Sequence, residues 1–126
     1  MPGAGRAEPM ADEYWFEEGC FITECHNTAS DPGVSVARAR VPVGGITRWH
    51  VLDGIAERYL IEQGEGLAEI GNGAPQPVMP GAVVVIPPGV RQRVVNTGGG
   101  DLVFLAICTP RFVPEAYRDV DPTPAP

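Results

Sequence analysis

Residues Gly44 to Gly64 read GGITRWHVLDGIAERYLIEQG, and Gly81 to Asn96 read GAVVVIPPGVRQRVVN. Both blocks open on glycine and then alternate apolar and polar residues, as half-buried strands do. Asp53-Gly54 breaks the first block with the dipeptide favoured in tight β-turns, which predicts a hairpin between Thr47–Leu52 and Glu57–Gln63. Pro87-Pro88-Gly89 breaks the second between Val83–Ile86 and Gln92–Asn96.

The same rhythm continues outward. Phe21–Glu24, Val34–Val41, Leu67–Ile70, Pro77–Met79 and Leu102–Cys108 are further short strand candidates. Only Pro114–Asp119 has a helical look. The 16 glycines and 14 prolines fall between these runs and supply the turns. Many short strands at regular spacing predict an all-β fold, a sandwich or barrel, in one domain over residues 14–120. Residues 1–13 carry no periodicity and read as a flexible N-terminal arm. The tail 121–126 (DPTPAP) reads as disordered.

Composition excludes several chemistries. All nine basic residues are arginines, so no Schiff-base or P-loop lysine exists. His26 and His50 are the only histidines, too few for a three-imidazole metal site. A net charge of -7 without a basic stripe argues against nucleic acid. No apolar run is long enough to span a membrane, and the first ten residues lack the apolar core of a signal peptide. The three cysteines then read as reduced thiols in the cytoplasm. Cys108 reads as a small core residue.

In a strand, alternate side chains share a face. Arg48, His50 and Leu52 form one such set, Glu57, Tyr59 and Ile61 a second, and Gln92, Val94 and Asn96 a third. If His50, Glu57 and Gln92 point inward, they meet Arg48 and Tyr59 in an otherwise apolar interior, which is the usual make-up of a ligand site. Each has a plainer reading: Tyr59 as a packed aromatic, Glu57 as an arginine's partner. Arg38 and Arg40 share a face of another strand, either solvated or clamping a substrate carboxylate.

The two blocks together resemble the paired motifs of the cupin superfamily. Gly44, His50, Glu57 and Gly64 fall on the first motif; Gly81, Pro87, Gly89 and Asn96 fall on the second. The resemblance covers about Val34 to Thr109 and implies a single-domain jelly-roll β-barrel, a small-molecule substrate inside it and a homodimer. It also implies a divalent metal (Fe, Mn, Ni or Zn) on the motif ligands. Here two ligand positions are changed, to Leu52 and Gln92, which leaves His50, Glu57 and the weak neutral ligand Gln92. Three functions follow as expectations. One is a metal-dependent oxygenase, isomerase or lyase/cyclase. Another is a metal-free isomerase or cyclase with His50, Glu57 and Tyr59 as acid and base, and Arg48, Arg38, Arg40 and Gln92 on the substrate. The third is a non-catalytic binding module.

Overall fold

The computed structural model describes residues 5–124, so residues 1–4 of the arm and 125–126 of the tail lie outside the described residues. Eleven strands run in chain order: β1 (Tyr14–Phe16), β2 (Cys20–His26), β3 (Ser35–Val41), β4 (His50–Leu52), β5 (Ala56–Gln63), β6 (Gly66–Ile70), β7 (Gln76–Val78), β8 (Val83–Ile86), β9 (Gln92–Asn96), β10 (Leu102–Thr109) and β11 (Tyr117–Asp119). They form a six-stranded sheet in the order β1-β2-β3-β10-β5-β8 and a five-stranded sheet in the order β11-β4-β9-β6-β7, with antiparallel pairing throughout. The fold is an all-β jelly roll whose sheets face each other without closing into one hydrogen-bonded cylinder. Apolar side chains of both sheets meet between them, including Val41, Ile61, Phe104 and Leu102 from the larger region of the core and Val94 opposite.

Three sequence expectations need correction. The turn at Asp53-Gly54 forms, with Gly54 at φ 73°, but it does not make a hairpin. β4 pairs with β9 and β11, whereas β5 pairs with β10 and β8, so the turn carries the chain from one sheet to the other. The dipeptide encodes a turn; which strands pair depends on which edges are free. Second, the strand expected over Thr47–Leu52 begins only at His50. The Arg48 N–H donates to the Glu18 carbonyl (2.7 Å), outside the ladder. Third, Pro114–Asp119 is a single 3-10 turn, Pro114–Ala116, followed by β11. β1, three residues long, is too short to show a period in the sequence.

Buried Asn96 holds the end of the second block. Its Nδ2 donates to the carbonyls of Val41 (3.0 Å), Pro42 (3.1 Å) and Gly100 (2.9 Å), and its Oδ1 accepts the Gly98 N–H (2.9 Å). This asparagine organises loops and takes no part in the interior site. Residues 5–13 contain no strand or helix, yet Glu8 lies on His26 (2.7 Å) and Glu13 on Arg40 (2.7 Å). Residues 121–124 likewise carry no strand or helix, and Asp121 accepts the Trp49 N–H (2.9 Å).

Two motif glycines differ in why they are glycine. Gly64 (φ +88°) lies so close to the neighbouring chain that a Cβ would sit 2.4 Å from the Asp101 carbonyl oxygen. Gly81 (φ +92°) has nothing within 4 Å of that position. Gly81→Ala is therefore expected to cost only the left-handed backbone penalty, about 1–2 kcal/mol. Gly64→Ala is expected to cost several kcal/mol more, because backbone must move. Urea unfolding of the two variants checks this; equal midpoints would refute it.

Candidate functional site

The change of sheet at Asp53-Gly54 places His50 and Glu57 on opposing walls. His50 and Gln92 are register partners in the five-stranded sheet, so they stand side by side on its inner face. Glu57 and Tyr59 come from β5 across the gap, and Glu57 pairs in register with Cys108 of β10. All four polar residues are buried: His50 2 %, Glu57 7 %, Tyr59 3 % and Gln92 1 % exposed.

The imidazole is oriented by its own chain. His50 Nδ1 donates to the Arg48 carbonyl (2.7 Å), which must receive a proton because a carbonyl cannot give one. Nε2 is left to the interior, 3.3 Å from Glu18 Oε1. The ring stacks on Tyr117, centroids 5.3 Å apart and planes 21° from parallel. On the other side, the Tyr59 hydroxyl donates to the Gln92 carbonyl oxygen in a hydrogen bond that spans the two sheets. Burial holds the Tyr59 hydroxyl well above its ordinary pKa, so it stays a donor. The Cys108 thiol lies 3.7 Å from Glu57 Oε2, and burial raises it above the usual thiol range.

Glu57 is the unusual group. Burial raises its pKa from 4.5 to about 7. His50 lowers it and Glu18 raises it further, while the nearby Gln92 amide and Cys108 thiol lower it. Near neutral pH it therefore exists in both its acid and its base form. Its Oε1, the Gln92 Nε2 and the Tyr117 hydroxyl are buried with no hydrogen-bond partner. A cavity of about 90 Å³ opens between the sheets and is lined by His50, Glu57, Tyr59, Glu18, Tyr117 and Cys108 among others.

The arginines do not join this cluster. Because the chain leaves the ladder before His50, Arg48 turns outward, and its Nη2 reaches Asp119 Oδ1 (3.3 Å) and the Thr123 carbonyl (2.6 Å). Arg38 and Arg40 lie on the outer face of β3, opposite the inward Ala37 and Ala39. There they pair with Glu62 (3.6 Å) and with Glu13 (2.7 Å) and Asp101 (3.3 Å). In turn, Glu18 and Tyr117 are site residues that local pattern does not reveal, since each reaches the cavity from a segment far in sequence from both motifs. Cys20 and Cys25, like Cys108, are free thiols; they face opposite sides of β2, one buried and one exposed.

The one oxygen of Gln92 that could bind a metal accepts the Tyr59 proton, and Leu52 offers nothing. Among the described residues no three His, Cys, Asp or Glu side chains come together as a chelate. His50, Glu57 and Gln92 as they stand do not fit a metal ion.

Residues 37–108 match the family model for the cupin domain. No curated protein sequence matches the chain. Among solved structures, a Streptomyces protein with uridine superposes with a TM-score of 0.72 at 18 % identity, covering 87 % of this chain and 84 % of that chain. A further structure of that protein presents it as a nucleoside dehydratase. A predicted oxalate decarboxylase of Thermotoga maritima gives 0.67 at 25 % identity, over 85 % of this chain and 98 % of the other. KdgF of a Halomonas species gives 0.71 at 19 %, over 80 % and 89 %. No helix among the described residues is long and apolar enough to cross a membrane.

The Glu57 shift makes a stability prediction. Its folded-state pKa stands above its unfolded value, so the native state binds the extra proton between the two. The stabilisation is complete below about 4.5 and is lost as pH rises through about 7. Relative to Glu57→Gln, the wild type is expected to lose on the order of 3 kcal/mol between pH 4.5 and pH 8. Urea unfolding of both proteins across that range measures the difference; a gap that does not change with pH would refute it.

Proposed function

The chain belongs to the cupin family, and we propose that it is an acid–base enzyme that moves protons on a small molecule held between its sheets, eliminating water or isomerising, with no metal in the chemistry. The observation that carries this is the pairing of His50, with Nε2 freed to the interior by the Arg48 carbonyl, with a Glu57 carboxyl that titrates near neutrality. Proton transfer is most effective when the groups' pKa values lie near the working pH. The uridine complexes of the Streptomyces neighbour, which include variants altered at a histidine and at two tyrosines, support a small hydroxylated substrate.

In an elimination, His50 Nε2 takes a proton from carbon while Glu57, in its acid form, gives one to the departing hydroxyl. The C–H and C–O bonds break, a C=C bond forms and water leaves. Exchange with solvent then returns a proton to Glu57 and removes one from His50. An isomerisation uses the same pair without loss of water. Glu18, 3.3 Å from Nε2, stabilises the imidazolium that forms. Tyr59 is a positioning residue: its proton is committed to Gln92, whose amide group is thereby turned toward Glu57. We further take the chain to work in the cytoplasm as a homodimer, with the exposed Val83 and Val85 on the edge strand β8 as the apolar surface to cover.

Turnover of a neutral hydroxylated substrate is expected to survive exhaustive chelation and to fall about 10²–10⁴-fold in His50→Gln and in Glu57→Gln. In the wild type kcat/KM is expected to decline as pH rises through about 7, as Glu57 of the free enzyme loses its proton. Activity lost to a chelator and restored by one metal would overturn the reading, and so would a substrate recovered unchanged after long incubation.

A further inference from the structure

We propose that the cavity selects uncharged hydroxylated molecules, of the nucleoside or glycoside kind, and turns away their phosphate esters and carboxylates. This rests on the reading of the same cavity as a proton-transfer site, and it adds what that site accepts.

The chain has nine arginines and no lysine, so any fixed cation must come from an arginine. All nine lie within the described residues, and none lines the cavity. Six are held in ion pairs with carboxylates. The other three are occupied as well. Arg58 donates to the Thr109 hydroxyl, and Arg91 lies over the Trp49 ring, 4.1 Å from its centroid. Arg111, next in sequence to the cavity-lining Phe112, donates to Asn27 (2.8 Å). Releasing any of them toward a ligand would break an interaction already made.

The cavity wall has the opposite sign. Glu18, Glu24 and Glu57 line it, and His50, the only group there able to become a cation, already faces Glu18. An anionic ligand would leave water for a narrow site with no cation to receive it and with carboxylates beside it. A phosphate ester brings about two charges at neutral pH, which makes the exclusion stronger.

What the cavity does offer suits a neutral guest. The buried Tyr117 hydroxyl has no partner, and Glu57 Oε1 has none either. Together they can give to and accept from ligand hydroxyl or carbonyl groups. Phe16, Phe112 and Tyr117 form an aromatic section of wall, with Phe16 and Tyr117 edge to face at 5.3 Å, against which an apolar or flat ring can rest.

The test is binding of matched pairs, independent of turnover: uridine against uridine 5′-monophosphate, and ribose against ribose 5-phosphate. Titration calorimetry gives the affinities. NMR shifts of the His50 and Tyr117 rings report that binding is inside the barrel. At low salt and pH 8, a neutral member is expected to bind in the barrel and its phosphate ester about tenfold or more weaker. Glu24→Gln, which removes one wall charge, is expected to narrow that ratio severalfold. Phosphate esters that bind in the barrel as tightly as their neutral partners would overturn the proposal, as would the absence of binding by both neutral probes at millimolar concentration. Failure of the proton-transfer reading looks different: neutral ligands still bind selectively, but His50→Gln and Glu57→Gln leave turnover unchanged.

Discussion

Everything in the interior depends on one topological constraint, that the chain changes sheets between Leu52 and Ala56. A hairpin there would put His50 and Glu57 on the same sheet, side by side, with their common face turned to whatever lay opposite. The crossing places them on facing walls. A gap lined from both sides by polar groups of one short segment is then unavoidable. The tight turn at Gly54, with φ 73°, is the local device; the global cause is that the edges of β4 are already occupied by β9 and β11.

Polar groups facing each other across an apolar gap must find partners or shift their ionisation. Tyr59 and Gln92 take the first course by bonding across the sheets. Glu57 takes the second. No arginine reaches it, so desolvation dominates and the carboxyl is held near neutrality. The same reasoning explains Cys108: a thiol whose raised pKa keeps it protonated can lie against a carboxylate without repulsion. The acid–base character of the pocket is thus a consequence of what the interior lacks. A lysine or arginine at Leu52 or Cys108 would pull Glu57 back to an ordinary carboxylate.

The sequence disclosed the parts of the fold that local rules control. β8 and β9 lie where alternation placed them, and β3 and β10 differ by one residue at an end. The motif glycines Gly44, Gly64, Gly81 and Gly89 all have positive φ, which is why their spacing is readable. What stayed hidden is set by distant contacts. Arg48 follows the two-residue alternation on paper, but the Glu18 carbonyl takes its N–H and turns it out of the strand. Glu18 and Tyr117 carry no signature in their own segments; each becomes a site residue only because β1–β2 and β11 fold against β4. β1 and β11 are three residues each, too short to show a period.

Arg48 shows how position can matter more than side-chain reach. Its guanidinium, directed outward, binds Asp119 and the Thr123 and Pro124 carbonyls, which fastens β11 and the segment after it along β4. β11 carries Tyr117, which stacks on His50. Meanwhile the Arg48 carbonyl fixes the His50 tautomer from the other side. One residue therefore sets both the proton position and the stacking of the imidazole without entering the cavity. That arrangement has an electrostatic benefit: an inward Arg48 would hold a substrate anion, but it would also lower Glu57 and leave no acid near neutral pH. An outward Arg48 keeps the pocket free of fixed positive charge while still holding its histidine in place.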